Sequence, residues 1–162
     1  MIGSGPVNRA AGASLNGGRA PAWSEDGNLI AYIRPQFDNT NGSGGGLNRL
    51  IVMRAVDGSS KRTIASVPSG ASGLNEAIWA SMRRIVFDIS PDGLLRSADV
   101  RSRRTVSLAA AENVATNGDA FSLSPNGRLV AFVSNGYPLT HAKQPTLGVG
   151  LVASSGGHLR LL

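Results

Sequence analysis

The sequence predicts an all-β chain of three four-stranded antiparallel units, and three observations carry that prediction. The stretch AWSEDGNLIAYI, residues 22–33, returns one hundred positions later as SLSPNGRLVAFV, residues 122–133. A shorter variant, AIWASMRRIVFDI, stands between them at residues 77–89. Glycine (21 of 162 residues) and proline (8) fall mainly between apolar runs, the distribution expected of many short strands joined by turns.

Each unit reads as strand, turn, strand, loop, strand, turn, strand. The first strands open near Ala20, Glu76 and Asp119, and Trp23, Trp79 and Leu123 hold the same place in them. Both tryptophans are expected to pack in the core and are assigned no ligand. The turns EDGN, PNGR, VDGS and SGGH supply glycine or asparagine where a hairpin needs positive φ. The second strands are LIAYI, IVFDI and LVAFV. They are nearly continuous apolar runs, not alternating ones, so each is expected to be covered on both faces. The outer hairpins follow as RLIVMRAVDGSSKRTIA, LLRSADVRSRRTVSL and GVGLVASSGGHLRLL. The expected organisation is an N-terminal flexible segment over 1–19 and repeats over 20–162, with units at about 20–66, 75–109 and 118–162.

Four-stranded sheets stacked by repetition are the blades of a β-propeller. The residues PAWSEDGNLIAYI and LIVMRAVDGSSKRTIA resemble the TolB-type, WD-like propeller repeat. Its pattern runs W-S-P-D-G, an I-A-F-like strand, a strand ending D-G-G and a closing R-x-L. SLSPNGRLVAFV fits it with Leu123 for Trp and Asn126 for Asp. The first copy has Glu25 in place of proline, and the middle copy lacks the first-turn motif altogether. Its SPDG, residues 90–93, falls after the second strand, where Asp88 and Asp92 are expected to serve turn chemistry and not calcium.

Propellers close with four to eight blades, so three make a partial propeller, an incomplete or oligomer-completed ring. An open blade face exposes on the order of several hundred Å² of apolar surface, roughly 10 kcal/mol at about 25 cal/mol per Å². The expected covers are further blades of a longer chain, a second copy completing a six-bladed ring, or residues 1–20.

Loop length separates the two ends of such a stack. Long connections at 34–49 and 134–147 lie at one end, opposite the short hairpin turns. The candidate binding residues are therefore Arg34, Phe37, Asp38, Asn39, Tyr137, His141 and Lys143. NTNGSGGG, within the first loop, also suits a flexible insertion. Catalytic chemistry finds no constellation. The chain has no cysteine and two histidines, His141 and His158, which are expected at opposite ends. No zinc motif, nucleophile elbow or phosphate loop occurs, so no metal or cofactor is expected.

The formal charge of +6 rests on dispersed arginines, except around RSADVRSRR. Arg96, Arg101, Arg103 and Arg104 there are expected to guard an outer strand edge. Nucleic acid is disfavoured as a partner because no stacking aromatics interleave with them. No stretch approaches the length of an apolar membrane span, and the first fourteen residues lack the apolar centre of a signal peptide. The resemblance implies a non-catalytic, extracytoplasmic module that binds protein or peptide. The alternative it raises is part of the propeller of a hydrolase resembling the prolyl oligopeptidase family, with the catalytic domain outside the chain.

Overall fold

The computed structural model describes residues 19–37, 46–69, 73–90, 94–109, 121–134 and 148–162. These residues form twelve strands in three sheets. The first sheet holds β1 (Arg19–Trp23), β2 (Leu29–Phe37), β3 (Gly46–Arg54) and β4 (Arg62–Ser69). The second holds β5 (Gly73–Ser81), β6 (Arg84–Ser90), β7 (Leu94–Asp99) and β8 (Thr105–Ala109). The third holds β9 (Phe121–Leu123), β10 (Leu129–Ser134), β11 (Gly148–Ala153) and β12 (Arg160–Leu161). Each sheet is a meander in chain order with every neighbouring pair antiparallel.

The repeated turn owes its shape to its side chains. Ser24 Oγ accepts from Leu29 N at 2.9 Å and donates to Asp26 Oδ1 at 2.7 Å, and Asp26 also accepts from Asn28. In the third sheet Ser124 and Asn126 reproduce these bonds at 2.9 and 2.8 Å. The amide oxygen of Asn126 thus takes the place of the Asp26 carboxylate in this turn. Gly27 and Gly127 take φ +69° and +66°, the left-handed conformation this reversal requires. A further bond ties the first turn to the second hairpin in all three sheets. Ala55 N donates to Asn28 O at 2.9 Å, Val100 N to Arg83 O at 2.8 Å, and Ser154 N to Arg128 O at 2.9 Å. The middle sheet keeps this bond although its first turn has shrunk to Met82 and Arg83 between β5 and β6.

The sheets stack face to face in sequence order. The trailing face of the first sheet (Ala31, Ile33, Leu50, Val52) packs on the leading face of the second (Ala77, Ile85, Phe87, Ala98). The trailing face of the second (Ala80, Val86, Leu95, Leu108) packs on the leading face of the third (Phe121, Val130, Phe132, Val152). The second strand of the middle sheet is buried on both sides, with Ile85, Val86 and Phe87 all at 0% exposure. At the two ends the same strand is covered on one side only: Ile33 is buried and Tyr32 half-buried, while Phe132 is buried and Val133 exposed. The stack is an unclosed propeller arc.

Three expectations are corrected. Trp23 is 60% exposed and not core, because its side chain lies on the leading face of the first sheet, against which no described sheet packs. Trp79, at the same place one sheet later, is half-buried and donates its indole N–H to Ala22 O at 3.0 Å. Asp88 belongs to β6 and not to a turn; it accepts from Glu76 N at 2.8 Å, across the irregular register of β5. Asp92 lies outside the described residues. Arg96 does not guard an edge: it pairs with Phe87 within the sheet, and its Nε is buried without a hydrogen-bond partner. Only Arg101, Arg103 and Arg104 stand exposed, in the turn leading to β8 and its open edge.

Candidate recognition face

The connections 38–45, 70–72, 91–93, 110–120 and 135–147 all leave the strands at one end of the stack, and the hairpin turns occupy the other. Two long ladders carry the longest of the second-to-third-strand connections. β2 and β3 pair without a break from Leu29↔Arg54 to Phe37↔Gly46, and β10 and β11 from Leu129↔Ala153 to Ser134↔Gly148. The first ladder is longer than expected, so half of the residues read as a loop over 34–49 are strand and only 38–45 connect. Pro35 does not interrupt it. The described β1 ladder ends at Arg19↔Ile33, so at residue 35 the side of β2 toward β1 has no partner strand among the described residues to miss an N–H.

Of the candidate residues, Arg34 and Phe37 lie in β2. Asp38, Asn39, Tyr137, His141 and Lys143 lie outside the described residues. Register places Arg34 directly across from Arg49, with Arg34 exposed and Arg49 half-buried. Like charges directly opposite on one sheet face repel, and among the described residues neither guanidinium has an ion-pair partner. The pair is therefore a local concentration of positive charge on one face of the first sheet. Sequence reasoning took Arg49 only as the end of a loop; its partnership with Arg34 depends on ladder register, which no local motif reports.

Three turn carboxylates are held by local hydrogen bonds. The Ser24 hydroxyl, with further bonds from Asn28, holds the Asp26 carboxyl below its ordinary range. The backbone N–H groups of Ser59 and Ser102 do the same for Asp57 and Asp99. Arg83 reaches Asp99 at 3.4 Å as an exposed pair, which adds little to stability. Burial pushes the Asp88 carboxyl up. Among the described residues no three histidine, aspartate or glutamate side chains converge, and His158 is exposed in the segment between β11 and β12. At the turn end, a cleft of about 340 Å³ opens against the first sheet between Trp23, Gly27, Leu29, Arg54 and Val56.

The chain matches no protein-family profile and no curated protein. It is similar in structure to solved β-propeller proteins. The propeller domain of the Trilobed protease from Pyrococcus furiosus, described as having an open velcro topology, superposes with a TM-score of 0.56 at 12% identity, over 90% of this chain and 43% of that one. An acylaminoacyl peptidase from Pyrococcus horikoshii superposes at 0.57 and 11% identity, over 90% and 24%. The dihydro-heme d1 dehydrogenase NirN does so at 0.52 and 19%, over 90% and 28%. The chain thus spans less than half the length of each. A peptidase and a dehydrogenase share the likeness, so what it shows is the propeller fold.

Proposed function

We propose that this chain is a non-catalytic interaction module that recognises a protein or peptide at the loop end of its blades, with Arg34 and Arg49 receiving an acidic group. The observation that carries this is the sorting of the two ends. Tight, side-chain-locked turns close one end, whereas two rigid ladders carry the connections 38–45 and 135–147 to the other. A scaffold of that kind holds variable segments at defined positions.

The test is selection of peptides from a random library on the immobilised chain. Their affinity is then measured for a variant with 38–45 and 135–147 replaced by two-residue turns, and for Arg34→Ala. Shortening both connections is expected to abolish binding without moving the thermal midpoint. Arg34→Ala should weaken acidic peptides by about tenfold, the loss of one charge-assisted bond. Peptides that bind the shortened chain equally well would place recognition elsewhere.

A second reading takes support from the peptidases among the similar structures. In it the same face positions substrate for a hydrolase resembling the prolyl oligopeptidase family, and the chemistry belongs to a separate domain. An α/β-hydrolase domain in the flanking coding sequence would decide for this reading; a secretion signal and no such domain would decide for the scaffold.

A further inference from the structure

We infer that the leading face of the first sheet docks the trailing face of the third sheet of a second copy, so that two chains close one six-bladed ring with two-fold symmetry. The molecule displays both halves of this contact twice, once in each of its internal interfaces, and among the described residues nothing covers the leading face of the first sheet or the trailing face of the third.

At the interface of the first and second sheets, the Trp79 indole N–H is bonded to Ala22 O. Trp23 is the residue equivalent to Trp79, and at 60% exposure it lacks such an acceptor among the described residues. At the interface of the second and third sheets, Gly127 lies so close to Ala80 that a Cβ would overlap the Ala80 carbonyl. Gly27 adopts the same φ in the same turn, yet a Cβ there would meet nothing within 4 Å. Trp23 and Gly27 are thus two independently built receptors for the backbone of a preceding blade, and both border the 340 Å³ cleft at the turn end. By repeat equivalence, the acceptor for Trp23 is Ser122 O of the second copy, and the backbone seated over Gly27 is that of its Ser124.

The opposing surface is present on the chain itself. Leu129, Val133 and Val149, on the trailing face of the third sheet, are 46%, 39% and 44% exposed. The first of these corresponds to Leu29 and the second to Ile33, which pack or bury against the second sheet. Ile30 and Tyr32 correspond in turn to Ile85 and Phe87, which are fully buried in the internal interface. Arg34, exposed, and Arg49, half-buried, sit at the loop-side rim of the leading face. Three blades and three blades make six, within the range at which propellers close. A contact between two different faces closes only if the rotation returns to its start, and the ring requires each chain to span half a turn, with two identical interfaces between the copies.

Sedimentation equilibrium on the full chain tests this. The expected mass is twice 16.7 kDa, with concentration-dependent blue-shifting of emission from Trp23, the more exposed of two tryptophans. Gly27→Asn tolerates the left-handed turn but fills the receptor, and Val133→Glu charges the opposite face; each should weaken association at least tenfold. Trp23→Phe, which loses the N–H donor and the fused five-membered ring, should weaken each interface about fivefold or more. A one-to-one mixture of Gly27→Asn and Val133→Glu should regain a dimer, because one of its two interfaces is wild type on both sides. Circular dichroism melts below the dissociation concentration show that the variants fold. A monomer at all concentrations, growth into open polymers, or a dimer sensitive to Gly27→Asn but not to Val133→Glu would each overturn the ring. Because Arg34 and Arg49 lie on the same face of the first sheet, peptide affinity is compared between variants at a concentration where all are monomeric.

Discussion

Asp88 shows how a single side chain can be legible in the sequence and still be misread. The dipeptide pattern around it suggests a turn, yet its carboxylate lies within a sheet and satisfies the Glu76 N–H where the β5 ladder slips. Burial raises its pKa above the ordinary 3.8, so the folded chain holds this proton to higher pH than the unfolded chain does. Between the two values the native state binds more protons, and stability falls as pH rises. Asp26, Asp57 and Asp99 act in the opposite sense. Their lowered values mean stability present above 3.8 and lost as pH falls through the folded values. Asp88→Asn keeps an acceptor for the Glu76 N–H and removes the buried charge. Urea unfolding across pH 3–8 is expected to show the variant more stable than wild type at neutral pH and to lose that advantage on acidification. An advantage that did not change with pH would mean the gain is not electrostatic.

At the scale of the element, the same turn built twice meets two environments. Gly27 and Gly127 share φ and hydrogen bonds, and differ in what faces them. Gly27→Ala is expected to cost about 1–2 kcal/mol, the penalty of a left-handed alanine. Gly127→Ala should cost roughly 1–3 kcal/mol more, because the added methyl must push the Ala80 backbone and the second sheet away. Denaturant midpoints measured at a concentration where the chain is monomeric give both numbers; equal costs would mean that the sheets do not pack at this separation. The turns themselves were readable from their Ser, Asp or Asn, and Gly. The length of the β2–β3 ladder was not. Residues such as Pro35 and Asn48 carry little strand preference, and they pair because the neighbouring rungs already do.

The whole molecule assigns different energies to equivalent residues. Phe87 and Tyr32 occupy the same position in the repeat, but Phe87 is enclosed between the first and second sheets and Tyr32 is half-buried on an open face. Phe87→Ala is expected to destabilise by about 3–5 kcal/mol. Tyr32→Ala should cost less than half as much in the monomer, by the same unfolding measurement. Comparable losses would show that the leading face of the first sheet is already covered in solution. The middle sheet, which departs furthest from the repeat in sequence, is thus the one on which both core clusters depend.

The sequence by itself determined the repeat, the twelve strands, the short turns and the stacking of three sheets. All of these follow from local chemistry and from the period of apolar residues. Trp23 and Trp79 mark where that reasoning stops, since the same residue in the same motif is exposed in one sheet and hydrogen-bonded between sheets in the other. Arg34 and Arg49 mark it again, fifteen positions apart in the chain and opposite one another in the ladder. Only the tertiary structure decided these cases. Burial and register are properties of the neighbour a strand acquires, and a strand's own residues state that it needs a neighbour without stating which one it has.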